Sequence, residues 1–186
     1  MILDAFATFT GKSTASVAGN TGNTDNTDSP VTTTTSTGII DLHMAGIPVL
    51  ANLQGARDMG IGDDPAIKIE VLVTVAFTVG TDMTTALQGA TDNGSGSPNA
   101  FVTLVSGPLV VEANLVIGAQ LMPYDMPRPP MGVAIPRFLQ LAFTITGTHT
   151  LGKVYGGLVL DRIDQPFSST SNAVLGGYPA GITVNN

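Results

Sequence analysis

The chain has 186 residues, a formal net charge of −7 and neither cysteine nor tryptophan. That length suits one domain with a sizeable core. Charged residues make up 11% of the chain and include only two glutamates and three lysines, the residues with which helices cover their exposed faces. Thr, Gly, Asn, Ser and Asp replace them, and these residues favour strands and turns. The composition therefore excludes a mainly helical protein.

The charge balance and the apolar runs exclude further classes. The negative charge, without any cluster of Lys or Arg, has the wrong sign for a protein that tracks nucleic-acid phosphates. No apolar run approaches the roughly 18 to 20 residues that a membrane-spanning helix needs. The first residues lack the basic region and apolar stretch of a secretory signal, and the absence of cysteine removes disulfides and thiolate metal sites. We expect neither nucleic acid nor membrane as a partner.

The first residues of the chain divide into two unlike segments. Residues 1–10 form a short apolar segment that predicts an N-terminal strand. Residues 11–38 contain nine threonines and only two sizeable apolar residues, Val17 and Val31. A stretch so poor in apolar side chains buries too little surface to offset the entropy lost on ordering. We therefore predict a flexible loop, or an arm that becomes ordered against a partner.

Residues 39–162 read as successive strands. The clearest strand is 66–79, where every odd position from Ile67 to Val79 is apolar while Lys68 and Glu70 occupy even positions. A period of two predicts one buried face and one outward face. Further strands are predicted at 39–43, 84–88, 101–105, 109–117, 137–146 and 154–161. Asp92-Asn93-Gly94 predicts a tight turn. The pattern predicts an all-β fold, a single antiparallel β-sandwich or jelly roll.

Two segments outside these strands are candidates for contact with other proteins. Five prolines confine residues 122–136 to an extended, irregular connection, and residues 163–186 form a Ser-, Gly- and Asn-rich tail that we expect to lie extended on a surface. Tyr and Arg are enriched at interfaces, and Met adapts to irregular surfaces. A loop that closes the open end of the sandwich would have the same composition. The candidate contact residues are Tyr124, Met126, Arg128, Met131, Phe167 and Tyr178.

No motif in the sequence carries catalysis. Residues 147–154 fit the nucleotide-binding P-loop, except that Val154 replaces the hydroxyl residue that holds magnesium. The P-loop must open into a helix, whereas strand-like residues follow here, and a hairpin loop is the better interpretation. His43 and His149 lack metal-ligand spacing, and the adjacent carboxylates 63–64 sit in a predicted turn instead of facing each other across a cleft. We predict no enzyme, no metal and no cofactor.

Several stretches, in the same order, resemble the small jelly-roll cement or decoration proteins of tailed-phage capsids. The most specific is the last, because family members pair an RYLRL-type strand with a GLVLD-type strand across one loop. The matching stretches are MILD at 1–4, IIDL at 39–42, GARDMGIGDDPAIKIEVLVTVAFT at 55–78, TALQGATDNG at 85–94 and RFLQLAFTITGTHTLGKVYGGLVLDR at 137–162.

The resemblance implies a non-enzymatic structural protein of the virion. Such a protein is made in the host cytoplasm, binds the major capsid protein on the capsid exterior and associates with itself as a dimer or trimer. Residues 11–38 and the tail after 163 are longer than in that family, which suggests arms that reach neighbouring subunits. A phage fibre domain, or a glycan- or receptor-binding β-sandwich, is an alternative, although three tyrosines and no tryptophan supply few platforms for sugar rings. A small hydrolase would need convergent acid and base groups.

Overall fold

The computed structural model describes residues 8–11, 16–42, 68–122, 126 and 136–159. Every strand pairing in this part of the chain is antiparallel, and a short 3-10 turn, Glu112–Asn114, is its only helical element. The all-β architecture predicted from composition is confirmed. The strands are β1 (Ser16–Val17), β2 (Asn20–Thr21), β3 (Thr34–Thr35), β4 (Ile40–Asp41), β5 (Lys68–Thr78), β6 (Asp82–Ala90), β7 (Val102–Val111), β8 (Phe138–Thr146) and β9 (Leu151–Val159).

The long strands form two sheets that pack against each other. The larger sheet has the order β3-β8-β6-β7, and β4 also pairs with β8. The second sheet consists of β5 and β9, and isolated bridges extend it on both sides. Thr8 pairs with Gly157 beside β9, and Gln120 pairs with Leu72 beside β5. The described residues thus form the predicted antiparallel sandwich.

The hydrophobic core lies between these sheets and follows the predicted alternation in β8. Leucines 139 and 141 and Phe143 are fully buried, and Ile145 is 8% exposed. Burying each such side chain contributes about 1.5 to 3 kcal/mol relative to exposure, so this alternation is a main source of the stability of the sandwich. Met83 and Leu87 of β6 lie beside them in the same sheet, and the second sheet contributes Ile69, Val71, Val73, Phe77, Val154 and Leu158.

Strand β5 forms as predicted, but its burial departs from a strict alternation. Val75 is 41% exposed and Val79 is 62% exposed, although both occupy predicted core positions. The register against β9 shifts at Val75, and a β-bulge inserts a residue that displaces the faces of the strand. Glu70, predicted to face outward into solvent, is buried. The predicted burial of these three side chains is therefore wrong.

Residues 147–150 connect the two sheets, so the hairpin predicted there is wrong. Strand β8 belongs to the larger sheet, whereas β9 pairs with β5. Lys153 lies within β9 rather than at the start of a helix, and its Nζ donates to Asp25 at 2.8 Å. A phosphate cradle needs the helix that is missing at this point of the described chain, so the segment acts as a crossing between layers.

The remaining connections agree in part with the sequence. Predicted strands 101–105 and 109–117 are one strand, β7, which ends at Val111. The predicted turn at Asp92–Gly94 is confirmed: Gly94 has φ +89°, and the Asn93 N–H donates to the Ser97 carbonyl at 2.9 Å. Residues 1–7 and the tail 163–186 lie outside the described residues, and their predicted conformations stay predictions.

Residues 16–38 fold against the sandwich within the same chain, and the flexibility predicted for 11–38 stays a prediction. Asp28 is 0% exposed and forms a two-way backbone bridge with Val154 of β9, with both N···O distances 2.8 Å. The His149 N–H also donates to the Val31 carbonyl at 2.9 Å. The segment has few apolar side chains, and hydrogen bonds hold it against the sandwich instead.

The Asp28 carboxylate organises this segment. One oxygen accepts hydrogen bonds from the Gly11 N–H at 2.9 Å and the Thr37 hydroxyl at 2.6 Å. The other accepts from the Asn20 side-chain amide at 2.9 Å and the Thr37 N–H at 2.7 Å. A buried carboxylate is tolerated when donors satisfy it, and these four donors come from three separate points of the chain. The network therefore joins Gly11, Asn20 and Thr37 through one side chain.

Candidate interaction surface

Of the six predicted contact residues, the structure describes one, Met126. Met126 is 4% exposed and packs in the hydrophobic core with Met122. The unbranched, flexible thioether fills irregular gaps in a core, which explains why a methionine in a Pro-rich loop turns inward. Tyr124, Arg128, Met131, Phe167 and Tyr178 lie outside the described residues. His43 and carboxylates 63–64 lie outside them too.

His149 is a buried structural residue. Its side chain is 1% exposed, its Nδ1 lies 2.7 Å from the Val79 carbonyl oxygen, and its ring meets Phe77 edge-on at 4.9 Å. Gly80 lies directly against the ring, since a Cβ at that position would come within 2.5 Å of Nδ1. His149 therefore fastens the sheet-crossing segment to the turn between β5 and β6.

Neither a metal-binding cluster nor a membrane-spanning helix is found in the described part of the chain. It contains no group of three or more His, Cys, Asp or Glu side chains placed to hold a metal ion. None of its helical elements is long and apolar enough to cross a membrane.

Three connections meet at one end of the sandwich. They are the turn between β5 and β6, the segment after β7, and the crossing from β8 to β9. The Glu112 N–H donates to the Thr81 carbonyl at 2.9 Å, and the Thr81 N–H donates to the Thr146 carbonyl at 2.9 Å. The Thr150 N–H donates to the Thr78 carbonyl at 3.0 Å. Backbone hydrogen bonds thus join the three connections into one surface.

This surface exposes large apolar side chains. Of the nine large apolar side chains that are exposed among the described residues, seven lie in these connections or in the adjoining parts of the strands. Ile117 is 71% exposed, and Leu151 is 62% exposed. Clusters of exposed apolar side chains are uncommon on monomeric proteins and mark contact sites. We name the seven residues the apolar end: Val75, Val79, Leu109, Val111, Val116, Ile117 and Leu151.

Val79 adds an independent sign that this end has a role. Its φ is +63°, a left-handed conformation that a β-branched residue rarely adopts. Such a conformation costs about 1 to 3 kcal/mol, and the exposed side chain recovers little of that by burial within the chain. His149 holds the strained carbonyl in place. Backbone strain at an exposed valine is typical of a residue whose side chain serves a contact.

Neutral hydroxyl groups accompany the apolar end. The hydroxyls of Thr78 and Thr150 lie 3.0 Å apart at its surface, and β7 carries no charged residue along its ten positions. Lys153 is the cross-strand partner of Val75, and its Nζ donates to Asp25. Apolar area accompanied by neutral hydroxyl groups fits a protein partner better than a phosphate-bearing one.

Two features of strand β7 hinder its pairing with a strand of another chain. Pro108 has no N–H to offer a partner strand, and the pairing of β7 with β6 is irregular on both sides of Ser106. Prolines and bulges at sheet edges prevent pairing with other chains. Gly107 allows a close approach here, since a Cβ would lie 2.1 Å from the Leu121 carbonyl oxygen. Addition of a strand of another chain is therefore disfavoured at this edge.

The opposite end of the sandwich is closed by charge. The Arg137 Nε and Nη2 donate to the two carboxylate oxygens of Asp41, both at 2.9 Å, and Nη1 donates to Asp92. The guanidinium carbon lies 4.8 Å from the Phe138 ring centre. Hydrogen bonding to Asp41 raises the pKa of Arg137. These charges are therefore paired within the chain.

A third feature is the pair Glu70 and Tyr155 on β5 and β9. Both side chains are buried, and the Glu70 Oε2 and the Tyr155 hydroxyl have no hydrogen-bond partner. Burial raises the pKa of Glu70. Burial, together with the charge of Glu70, raises the pKa of Tyr155 to about 12. Both groups therefore favour their neutral forms.

The sequence reasoning missed the apolar end because its residues lie in strands predicted to be core or in connections read as turns. A usable signal was present: Val79 precedes Gly80, and Leu151 follows a Gly-Thr-His-Thr run, so both stand at the margins of turns. No protein-family model matches the chain, and no curated protein matches it.

Proposed function

We propose that this chain is a structural protein of a tailed-phage virion, a capsid cement protein that binds the outside of the major capsid lattice and stabilises the head. The resemblance of five stretches, in the same order along the chain, to that family supports the proposal. The proposal includes a jelly-roll topology for the sandwich, as in that family. The observation that carries it is the apolar end, where exposed valines, leucines and an isoleucine surround a strained turn.

Burial of the apolar end against a partner supplies a moderate binding affinity, which is enough for a contact that is repeated many times over a capsid. Burying Val79, Ile117 and Leu151 against a partner contributes about 1.5 to 3 kcal/mol each, and association entropy offsets part of this sum. A standard interface buries roughly 800 Å² on each partner. A moderate contact repeated over many lattice positions, or by several copies in an oligomer, gives a large total through multivalency.

The absence of charge along β7 predicts how the contact responds to salt. Exposed ion pairs are screened at physiological ionic strength, whereas burial of apolar area is not weakened by salt. Binding of this protein to heads is therefore expected to persist at high salt. A steep loss of binding with added salt would indicate an electrostatic contact elsewhere on the molecule.

The proposal is tested by asking whether the protein belongs to the particle. Heads purified on a density gradient are analysed by quantitative mass spectrometry, with the major capsid protein as the internal reference. We expect many copies per head in a fixed ratio to that protein. Absence from purified heads contradicts the proposal. Recovery in a few copies with the tail fibres would favour the fibre or receptor-binding function.

A further inference from the structure

The loop between β6 and β7 contains a chemically distinctive pair of residues. Asn93-Gly94 is the only Asn-Gly step in the 186-residue sequence. Both residues are exposed at the tip of the loop. Gly94 has φ +89°, and a Cβ built there would meet nothing within 4 Å. The backbone nitrogen of residue 94 is therefore free of the steric cover that a side chain would give it.

Two donors lie on the side-chain carbonyl of Asn93. Its Oδ1 accepts the Ser95 N–H at 2.9 Å and the Ser95 hydroxyl at 2.7 Å. When a nucleophile attacks an amide carbon, negative charge develops on the carbonyl oxygen, and donors placed there stabilise that charge. Ser95 thus holds the Asn93 amide in a polarised state.

A carboxylate lies on the attacking side. The Gly94 N–H donates to Asp92 Oδ1 at 2.8 Å, and the same oxygen accepts the Gly96 N–H at 3.0 Å. Partial desolvation alone would raise the pKa of Asp92. The hydrogen bonds from Gly94 and Gly96 and the charge of Arg137 together lower that pKa. The carboxylate is therefore ionised at neutral pH, and its Oδ1 lies within hydrogen-bond distance of the Gly94 N–H.

We propose that Asn93 is a self-modification site, at which the backbone nitrogen of Gly94 displaces the side-chain amide and converts Asn93 into aspartate or isoaspartate. The new bond joins the Gly94 nitrogen to the Asn93 Cγ as the bond from Cγ to Nδ2 breaks. The Gly94 amide proton passes to Asp92 or to water, and the leaving nitrogen takes up a proton and departs as ammonia. Water then opens the five-membered imide at either carbonyl.

The products change the loop in two ways. Either product adds a negative charge beside Asp92, next to the ion pair that Asp92 forms with Arg137. Isoaspartate also lengthens the backbone by one methylene group, which breaks the spacing of the hydrogen bonds at Ser95 and Gly96. The conversion therefore loosens the charged end of the sandwich and leaves the apolar end unchanged.

The experiment follows the amide in the intact protein. The full chain is incubated at neutral pH and physiological temperature, and peptides are mapped over time by mass spectrometry with isoaspartate detection. We expect conversion at Asn93 at least about tenfold faster than at Asn99 or Asn114, which are also exposed but precede larger residues. Equal rates at the three positions, or an intact Asn93, would overturn the proposal.

Variants separate activation from mere exposure. Ser95→Ala removes the hydroxyl donor and keeps the backbone one, and we expect the conversion to slow several-fold. Ser97→Ala, in the same loop but without a side-chain contact to Asn93, is expected to convert at the wild-type rate. Faster conversion in Ser95→Ala would contradict the proposal, because the Ser95 donors would then protect the amide rather than activate it.

Discussion

The segment 16–38 and the apolar end reverse what composition suggests about each of them. The first is polar throughout, yet it is anchored by the fully buried Asp28. The second comes from the apolar strands, yet it exposes Val79, Ile117 and Leu151. Polarity alone therefore does not decide which region faces inward. A polar segment turns inward when its buried groups find a complete set of donors, and exposed apolar residues mark a surface that a partner can cover.

The difference also separates stability from binding. The Asp28 network joins distant points of one chain, so its loss is expected to affect folding. The apolar end makes few contacts within the chain, so its loss is expected to affect association. Four variants follow, from the largest expected effect to the smallest; three test this division, and the fourth tests the buried Glu70.

Asp28→Asn attacks the anchored segment. The substitution replaces one acceptor oxygen by an N–H₂ group that faces N–H and hydroxyl donors, and leaving such buried donors unmatched costs about 3 kcal/mol. We expect a large fall in the free energy of unfolding, measured by chemical denaturation. The matched control is Asp25→Asn, at an exposed acid of the same segment, with an effect within about 1 kcal/mol. Equal effects of the two substitutions would contradict the role given to Asp28.

Ile117→Ser combined with Leu151→Ser attacks the apolar end. We expect binding to heads to weaken at least about tenfold, which corresponds to about 1.4 kcal/mol, in a co-sedimentation assay. Surface changes away from packing contacts alter stability by about 0.5 kcal/mol or less, so the unfolding transition is expected to stay in place. Val102→Ser, at a side chain that is 65% exposed near the other end, is the control. The same loss of binding in the control would show that the effect is not specific to the apolar end.

Val79→Asn tests the separation of stability from binding at a single residue. Asparagine tolerates the left-handed conformation better than valine, so we expect stability to rise by about 1 kcal/mol while binding to heads weakens. Thermal unfolding and co-sedimentation measure the two effects. Val111→Asn, at an exposed valine of a regular strand, should bring no gain in stability. A loss of stability in Val79→Asn would refute the strain that we assign to this turn.

Glu70→Gln gives the smallest expected effect, on the pH dependence of stability. Because burial raises the pKa of Glu70 above 4.5, the folded state holds this proton more tightly than the unfolded state. Stability is then fully present below 4.5 and falls as the pH rises through the raised pKa. The glutamine variant is expected to lose this part of the slope and to be more stable at neutral pH. An unchanged slope between acidic and neutral pH would contradict it.

Local patterns predicted the strands well because each strand depends mainly on its own residues. The alternation from Leu139 to Ile145 marked β8, and Asp92-Asn93-Gly94 marked the turn between β6 and β7. The partners of each strand were harder to predict, because the crossing at 147–150 resembles a hairpin until the other sheet is known. The bulge at Val75 depends on its register against β9, which no local pattern records.

The candidate site was almost entirely beyond the sequence. Burial of Met126 follows from the space left between the sheets, and the order of 16–38 follows from donors that lie far from Asp28 along the chain. The apolar end exists because three separate connections meet, which only the fold reveals. Thr and Asn dominate the composition of 11–38, but this composition did not predict that the Asp28 carboxylate would organise the segment.

The central claim is that the apolar end faces a protein partner on the head. Single-particle reconstruction of decorated heads tests it most directly, since the sandwich can be placed in the density that lies outside the major capsid lattice. We predict that Val79, Ile117 and Leu151 are covered by a neighbouring subunit, while the Asn93 loop faces solvent. Density in which the apolar end points into solvent, or heads that carry no density for this chain, would contradict the account.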